Sequence, residues 1–170
     1  DLTTYSDVAP GTGLGGSAVL VSSIIGAFNN FRENKYSSYE IAELAFHAER
    51  VSLNISGGWQ DQYATVFGGF NYIEFKGSEN IVNTLRISDD IKNELEDSLI
   101  LCNTGICHDS NNIHIDQKKK MNNKKQKLYA QKAKIIAHEM KSRILKGKLD
   151  DFGKLLHRAW EIKKNFSKNI

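Results

Sequence analysis

The stretch "APGTGLGGSA", Ala9 to Ala18, holds four glycines in six residues and runs straight into the apolar segment "VLVSSIIGAF". No other feature constrains the chain as much. Glycine reaches backbone angles closed to other residues, and behind the loop Leu14, Ala18, Val21, Ile25 and Phe28 recur at alternating steps of four and three, widened by Leu20, Ile24 and Phe31. This spacing predicts a buried helix that begins inside the glycine loop. The unpaired N–H groups and positive dipole end of such a helix favour an anion, and the missing side chains let it approach. Ser17, in the first turn, adds a hydroxyl for a phosphate or a metal. The competing reading is that the glycines only permit tight packing of a helix start.

By spelling, "GTGLGG" satisfies the G-x-G-x-x-G dinucleotide fingerprint. Its setting argues against that use, because the fingerprint follows a short apolar strand, whereas here polar "TTYSD" and Pro10 precede it. A Walker A loop is excluded, since no Lys precedes the Ser in "GGSA".

The remaining chain reads as an α+β arrangement without β-α-β alternation. A second helix is signalled by "SSYEIAELAFHAERVSL", with Ser37 or Ser38 as cap and Ile41, Leu44, Ala45, Ala48 and Val51 along one side. "NISGGWQDQ" interrupts it as a loop. "GGFNYIEFKG" and "NIVNTLRIS" read as two strands of a hairpin turning at Gly77 and Ser78. "SDDIKNELEDS" is a short capped helix and "LILCNTG" a short buried strand. Helices are expected over 109–120, 124–146 and 150–166, with Gly147 between the last two and Asp150 as a cap.

The formal net charge of +3 conceals a strong asymmetry: residues 1–116 carry 6 basic and 16 acidic side chains, residues 117–170 carry 17 and 4. The basic end is read as solvated helix faces rather than a nucleic-acid site, since Tyr129 and Trp160 stand apart from the Lys residues. Cys102 and Cys107 lack the further Cys or His ligands of a zinc site and are expected as reduced thiols. No apolar run of membrane-spanning length and no secretory signal occur in the 170 residues, so no membrane partner is expected and a cytoplasmic address is the default.

Two acids stand out. Glu49 borders the apolar face of the second helix, where it reads equally as an ordinary surface acid. Asp61 follows the Gly57–Gly58 pair, where it serves as well as a helix cap as for chemistry. Phosphoryl transfer needs phosphates held, a divalent cation on hydroxyl and carboxylate oxygens, and a carboxylate near the accepting hydroxyl. The loop, Ser17 with Glu49, and Asp61 offer one candidate for each.

The loop resembles the phosphate loop of the GHMP small-molecule kinases, P-x-G-x-G-L-G-S-S-A, with Gly16 in place of the first serine. The likeness continues through "AELAFHAER" and "GGWQDQYATVFGGFNYIEF", and "DQYATVFGG", "TGICHDSNNI" and the end segment "LKGKLDDFGKLLHRAWEIKK" are similar to the heptose-phosphate branch of that family. It implies part of a GHMP kinase fold: an incomplete N-terminal half of ribosomal-S5-like type over 1–87 and the start of the helical C-terminal half over 88–170. The family's early substrate motif and late glycine-rich loop do not occur in these residues, so the chain is expected to be the middle of a longer kinase, with little activity by itself.

The resemblance further implies ATP and Mg²⁺ as cofactors and a sugar phosphate as substrate, in a monomer or homodimer. Pro10, Gly11, Thr12, Gly13, Leu14, Gly15, Gly16, Ser17 and Ala18 would wrap the ATP phosphates, and Ser17 and Glu49 would hold the cation. Asp61 would be the catalytic residue that orients or deprotonates the anomeric hydroxyl, with Gly58, Gln60, Thr104, Gly105 and His108 about the sugar. His108 stands where the branch usually has Arg, which grips phosphate bidentately as neutral His does not. The alternatives are another sugar kinase of galactokinase or fucokinase type, a catalytically dead sugar-binding relative, and, more distantly, a dinucleotide-binding oxidoreductase.

Overall fold

Helix α1 (Gly16–Asn29) starts where the glycine loop ends, with Gly15 as its N-cap in the left-handed conformation (φ 73°). In this computed structural model, which describes residues 1–77, 79–105 and 123–167, α1 belongs to the first of two units. That unit holds Asp1–Thr84 together with Thr104 and Gly105; the second holds Leu85–Asn103 and the described residues from Asn123 onward.

In the first unit α1 packs against α2 (Ser38–His47) and α3 (Gln60–Phe67). The face that α1 buries is narrower than its apolar stripe: Ala18, Ser22 and Asn29 are buried, whereas Leu14, Leu20, Phe28 and Phe31 are exposed. The small side chains at 18 and 22 let the helices come close, which a stripe of large residues would prevent. Asn29 pins the following connector, donating to the Tyr36 carbonyl (3.1 Å) and accepting from the Tyr36 N–H (2.8 Å).

Helix α2 begins in a capping box: Ser37 Oγ accepts from Glu40 N–H and the Glu40 carboxylate accepts from Ser37 N–H. That backbone donor holds the Glu40 carboxyl below its ordinary value. The small stabilisation it brings is therefore present above the usual carboxylate range and lost as pH falls through the lowered pKa. After His47 the helix widens into a π turn, Ala48–Ser52, closed by Leu53 N–H on the Ala48 carbonyl at 3.0 Å.

Aromatic rings join α2, α3 and the hairpin. Trp59 stacks on Phe46 (centroids 3.5 Å apart), Tyr39 meets Phe67 edge-on (4.9 Å), and fully buried Tyr63 touches Phe67 and Phe75. Burial pushes the Tyr63 phenol up, and its oxygen accepts from Asn80 Nδ2 at 3.1 Å. Strands β1 (Asn71–Lys76) and β2 (Glu79–Thr84) pair antiparallel, Asn71 opposite Thr84 and Lys76 opposite Glu79. Gly77 stands in the turn as expected; Ser78 lies outside the described residues.

In the second unit, helices α4 (Asp89–Ser98), α5 (Lys124–Leu145) and α6 (Leu149–Lys163) close over Ile87, Leu95 and Ile144, backed by Leu85, Ile91, Leu149 and Phe152. The α5 terminus is a Schellman turn: Gly147 (φ 64°) donates to the Ile144 carbonyl and Lys148 to that of Arg143. Lys148, not Asp150, precedes α6, and Asp150 lies in its first turn where it complements the dipole.

The expected strand at "LILCNTG" is not formed: Leu99, Ile100 and Leu101 are coil, 58%, 92% and 85% exposed. The sheet among the described residues is the two-stranded hairpin, so this apolar segment has no strand beside it to hydrogen-bond with. Cys102 is a free, exposed thiol; Cys107 and the expected helix at 109–120 lie outside the described residues. No described helix is long and apolar enough to cross a membrane.

Candidate active site

The glycine loop enters α1 with three glycines at positive φ, Gly11 (80°), Gly13 (78°) and Gly15 (73°). Residues 1–9 form no strand ahead of it, which removes the structural basis of the dinucleotide reading. No side chain caps α1 and its first turn contains no acid, so the positive end of the helix is left for a ligand. A Cβ built at Gly15 or Gly16 meets nothing within 4 Å, so helix packing does not explain these two glycines.

The two therefore differ in a measurable way. Gly15→Ala forces an L side chain into left-handed backbone and is expected to cost about 1–2 kcal/mol in urea denaturation. Gly16→Ala, at the first helical position, is expected to be neutral or to stabilise by up to about 1 kcal/mol.

Ser17, in the first turn of α1, donates its hydroxyl to Glu49 Oε1 at 2.5 Å. Glu49 is 1% exposed, so it is no surface acid. Its carboxylate is gripped from a second side by Gln62 Nε2 of α3, which donates to Oε2 at 2.5 Å. Arg50 Nη1 stands 4.0 Å from Oε1. The buried set on this side is Ala42, Ala45 and Glu49; Leu44 and Val51, expected to line it, are exposed. Ala42, Ala45 and Glu49 follow one another at steps of three and four, so the buried stripe keeps helical spacing but is turned from the one expected.

Asp61 precedes Gln62 in the first turn of α3, half-buried, behind Trp59 rather than as the cap itself. It makes no hydrogen bond or ion pair among the described residues, so its carboxylate is uncommitted. Gly57 and Gly58 lead into it under Arg50: the guanidinium carbon lies 2.6 Å from where a Gly57 Cβ would sit, and Arg50 Nε reaches the Gly58 carbonyl at 3.4 Å.

The structure thus brings the loop, Ser17 and Glu49 together, with Asp61 one residue from the side chain that holds Glu49. Gln60 is exposed in the first turn of α3, and Thr104 and Gly105 are exposed coil of the same unit. His108 lies outside the described residues. Gln62 and Arg50 were not anticipated from sequence, yet Gln62 carried a signal: it shares a helix face with Val66, four residues on, where an apolar residue would ordinarily stand. Hydroxyl and carboxylate oxygens suit a hard divalent cation. Among the described residues no three His, Cys, Asp or Glu side chains cluster to hold a metal, so a cation at Ser17 and Glu49 needs further oxygens from a ligand or water.

Residues 1–69, which contain the loop, Ser17, Glu49, Arg50, Asp61 and Gln62, match the family described as GHMP kinases N terminal domain. Among known proteins the chain is 40% identical, over 99% of its length, to the D-glycero-alpha-D-manno-heptose 7-phosphate kinase of Campylobacter jejuni, and covers 50% of that protein. It is 28% identical over 95% of its length to the L-fucokinase/L-fucose-1-P guanylyltransferase of Bacteroides fragilis, covering 17% of it. The crystal structure of a D-glycero-D-manno-heptose 1-phosphate kinase from Bacteroides thetaiotaomicron superposes with a TM-score of 0.75 at 35% identity, over 94% of this chain and 46% of that one. The chain thus spans half or less of the length of these relatives, and its fold matches part of that heptose kinase structure.

Proposed function

We propose that this chain supplies the phosphate loop, cation ligands and catalytic base of an ATP-dependent sugar-phosphate kinase. The observation that carries this reading is the Ser17–Glu49–Gln62 chain at the foot of the glycine loop, with the uncommitted Asp61 beside it. The backbone N–H groups of residues 11–18, with Pro10 leading into them, bind the ATP phosphates, and Ser17 Oγ and the Glu49 carboxylate would hold Mg²⁺. Bound there, Mg²⁺ neutralises charge on the transferred phosphate. Asp61 takes the proton of the anomeric hydroxyl as that oxygen bonds to the γ-phosphorus. The bond from phosphorus to the β,γ-bridging oxygen breaks and ADP leaves. Gly58, Gln60, Thr104, Gly105 and His108 line the sugar side.

A heptose 7-phosphate is the proposed acceptor, giving a sugar 1,7-bisphosphate for nucleotide-activated heptose in surface-glycan synthesis. The reaction belongs in the cytoplasm, catalysed by a monomer or homodimer with no nucleic-acid or membrane partner. The heptose-kinase relatives are named for different phosphoester positions, 7-phosphate and 1-phosphate, so regiochemistry is the informative measurement. For a full-length kinase that carries these residues, with Mg²⁺ and ATP, ³¹P NMR is expected to show a new anomeric phosphate on heptose 7-phosphate and none on L-fucose or galactose. Phosphorylation of L-fucose in preference to the heptose would replace this acceptor with the fucokinase one.

A further inference from the structure

We infer that Gln62 is a positioning residue that fixes the Glu49 carboxylate for the cation; the inference rests on the proposed role of Ser17 and Glu49 as ligands. Three observations carry it. Gln62 is wholly buried, and among the described residues its side chain makes one hydrogen bond, donated from Nε2 to Glu49 Oε2. That bond occupies the carboxylate oxygen turned away from Ser17 and leaves Oε1 as the one shared with the Ser17 hydroxyl. The Gln62 carbonyl oxygen is buried with no partner among the described residues. An apolar side chain at this core position would avoid that orphaned acceptor, so the amide is explained by what its NH₂ group does.

The amide assignment follows from chemistry: turned over, its carbonyl would face a carboxylate oxygen at hydrogen-bond distance and repel it. Gln62 also couples two elements. It ties the π turn that carries Glu49 to the helix that carries Asp61, so the cation and the proton acceptor share one register. Among the described residues the charged group within ion-pair reach of Glu49 is Arg50, at 4.0 Å, which approaches Oε1 and leaves Oε2 to Gln62 alone. Outer hydrogen-bond partners of ligating groups typically control affinity by about 10–100-fold.

The test is Mn²⁺ binding, followed by electron paramagnetic resonance, to the full chain carrying a non-hydrolysable ATP analogue. Gln62→Met is expected to weaken Mn²⁺ by at least about tenfold at both pH 6 and pH 8. Gln62→Glu places two carboxylates in contact, which share a proton and so restore a donor to Glu49 only at the lower pH. Its affinity relative to the parent is expected to be near normal at about pH 6 and weakened by about tenfold or more at pH 8. A residue that merely braces the helices would lower the melting temperature without this pH signature. Affinities within twofold of the parent for both variants at both pH values overturn the inference. Glu49→Gln separates the two layers: if it loses Mn²⁺ while the Gln62 variants do not, only Gln62's role falls, and if it too binds normally, the ligand reading of Glu49 falls as well.

Discussion

In a full-length kinase that carries these residues, Asp61→Ala is expected to lower kcat for phosphoryl transfer by about 10²–10⁴-fold, the range by which a positioned general base accelerates a reaction, while leaving ATP affinity within about threefold. The structure makes this substitution informative. Asp61 forms no hydrogen bond or ion pair among the described residues, and the packing of α3 is carried by its neighbours Gln62 and Tyr63, both 0% exposed. Removing a half-buried, uncommitted carboxylate therefore leaves the helix and its aromatic contacts standing, and the melting temperature is expected to stay within a few degrees of the parent. Steady-state kinetics beside a thermal melt checks both halves. Parental kcat in a folded Asp61→Ala protein would remove the proposed base and leave the phosphate loop and cation ligands in place.

The second large effect falls on Glu49. Its carboxylate satisfies Gln62 Nε2 and the Ser17 hydroxyl at once and is 1% exposed. Glu49→Ala opens a cavity and leaves the Gln62 donor buried without a partner, at an expected cost of about 1–3 kcal/mol for that donor alone. Glu49→Gln keeps the volume and one carbonyl acceptor and is the better probe of chemistry. Loss of the anionic ligand is expected to reduce kcat/KM for MgATP by about 10³-fold, on the scale of several kcal/mol of lost charge stabilisation. The Mg²⁺ concentration for half-maximal activity is expected to rise by about tenfold or more. A Mg²⁺ titration of Glu49→Gln that overlays the parent curve would contradict the ligand role.

Much of the local structure was legible in the sequence because its signals are short-range. Ser37, one of the two cap candidates, starts α2, Gly147 marks the end of α5, and Gly77 the hairpin turn. The loop's likeness to a phosphate loop led to Ser17 and Glu49, which the fold puts in contact. What local pattern did not carry was set by neighbours far along the chain. The burial of Glu49 depends on which side of its helix meets α1 and α3: Ala42, Ala45 and Glu49 have the same helical spacing as the stripe expected from sequence, and periodicity alone does not choose between the two. The apolar stripe of α1 promised a buried face of Leu and Phe, but close helix packing selected Ala18 and Ser22. "LILCNTG" has the composition of a strand, and composition does not reveal whether a neighbouring strand is there to receive it.

The contact between Arg50 and Gly57 bears on how these positions are free to change. A Cβ at residue 57 would sit 2.6–2.8 Å from the Arg50 guanidinium, which is 12% exposed beside Glu49. These atoms are the end of a flexible side chain, so a side chain at 57 is accommodated when the guanidinium swings off the Gly58 carbonyl, while Arg50 shortens without any change at 57. Residue 57 therefore controls where Arg50 points, and a substitution there is expected to loosen Arg50's hold on the Gly58 carbonyl before it disturbs the backbone.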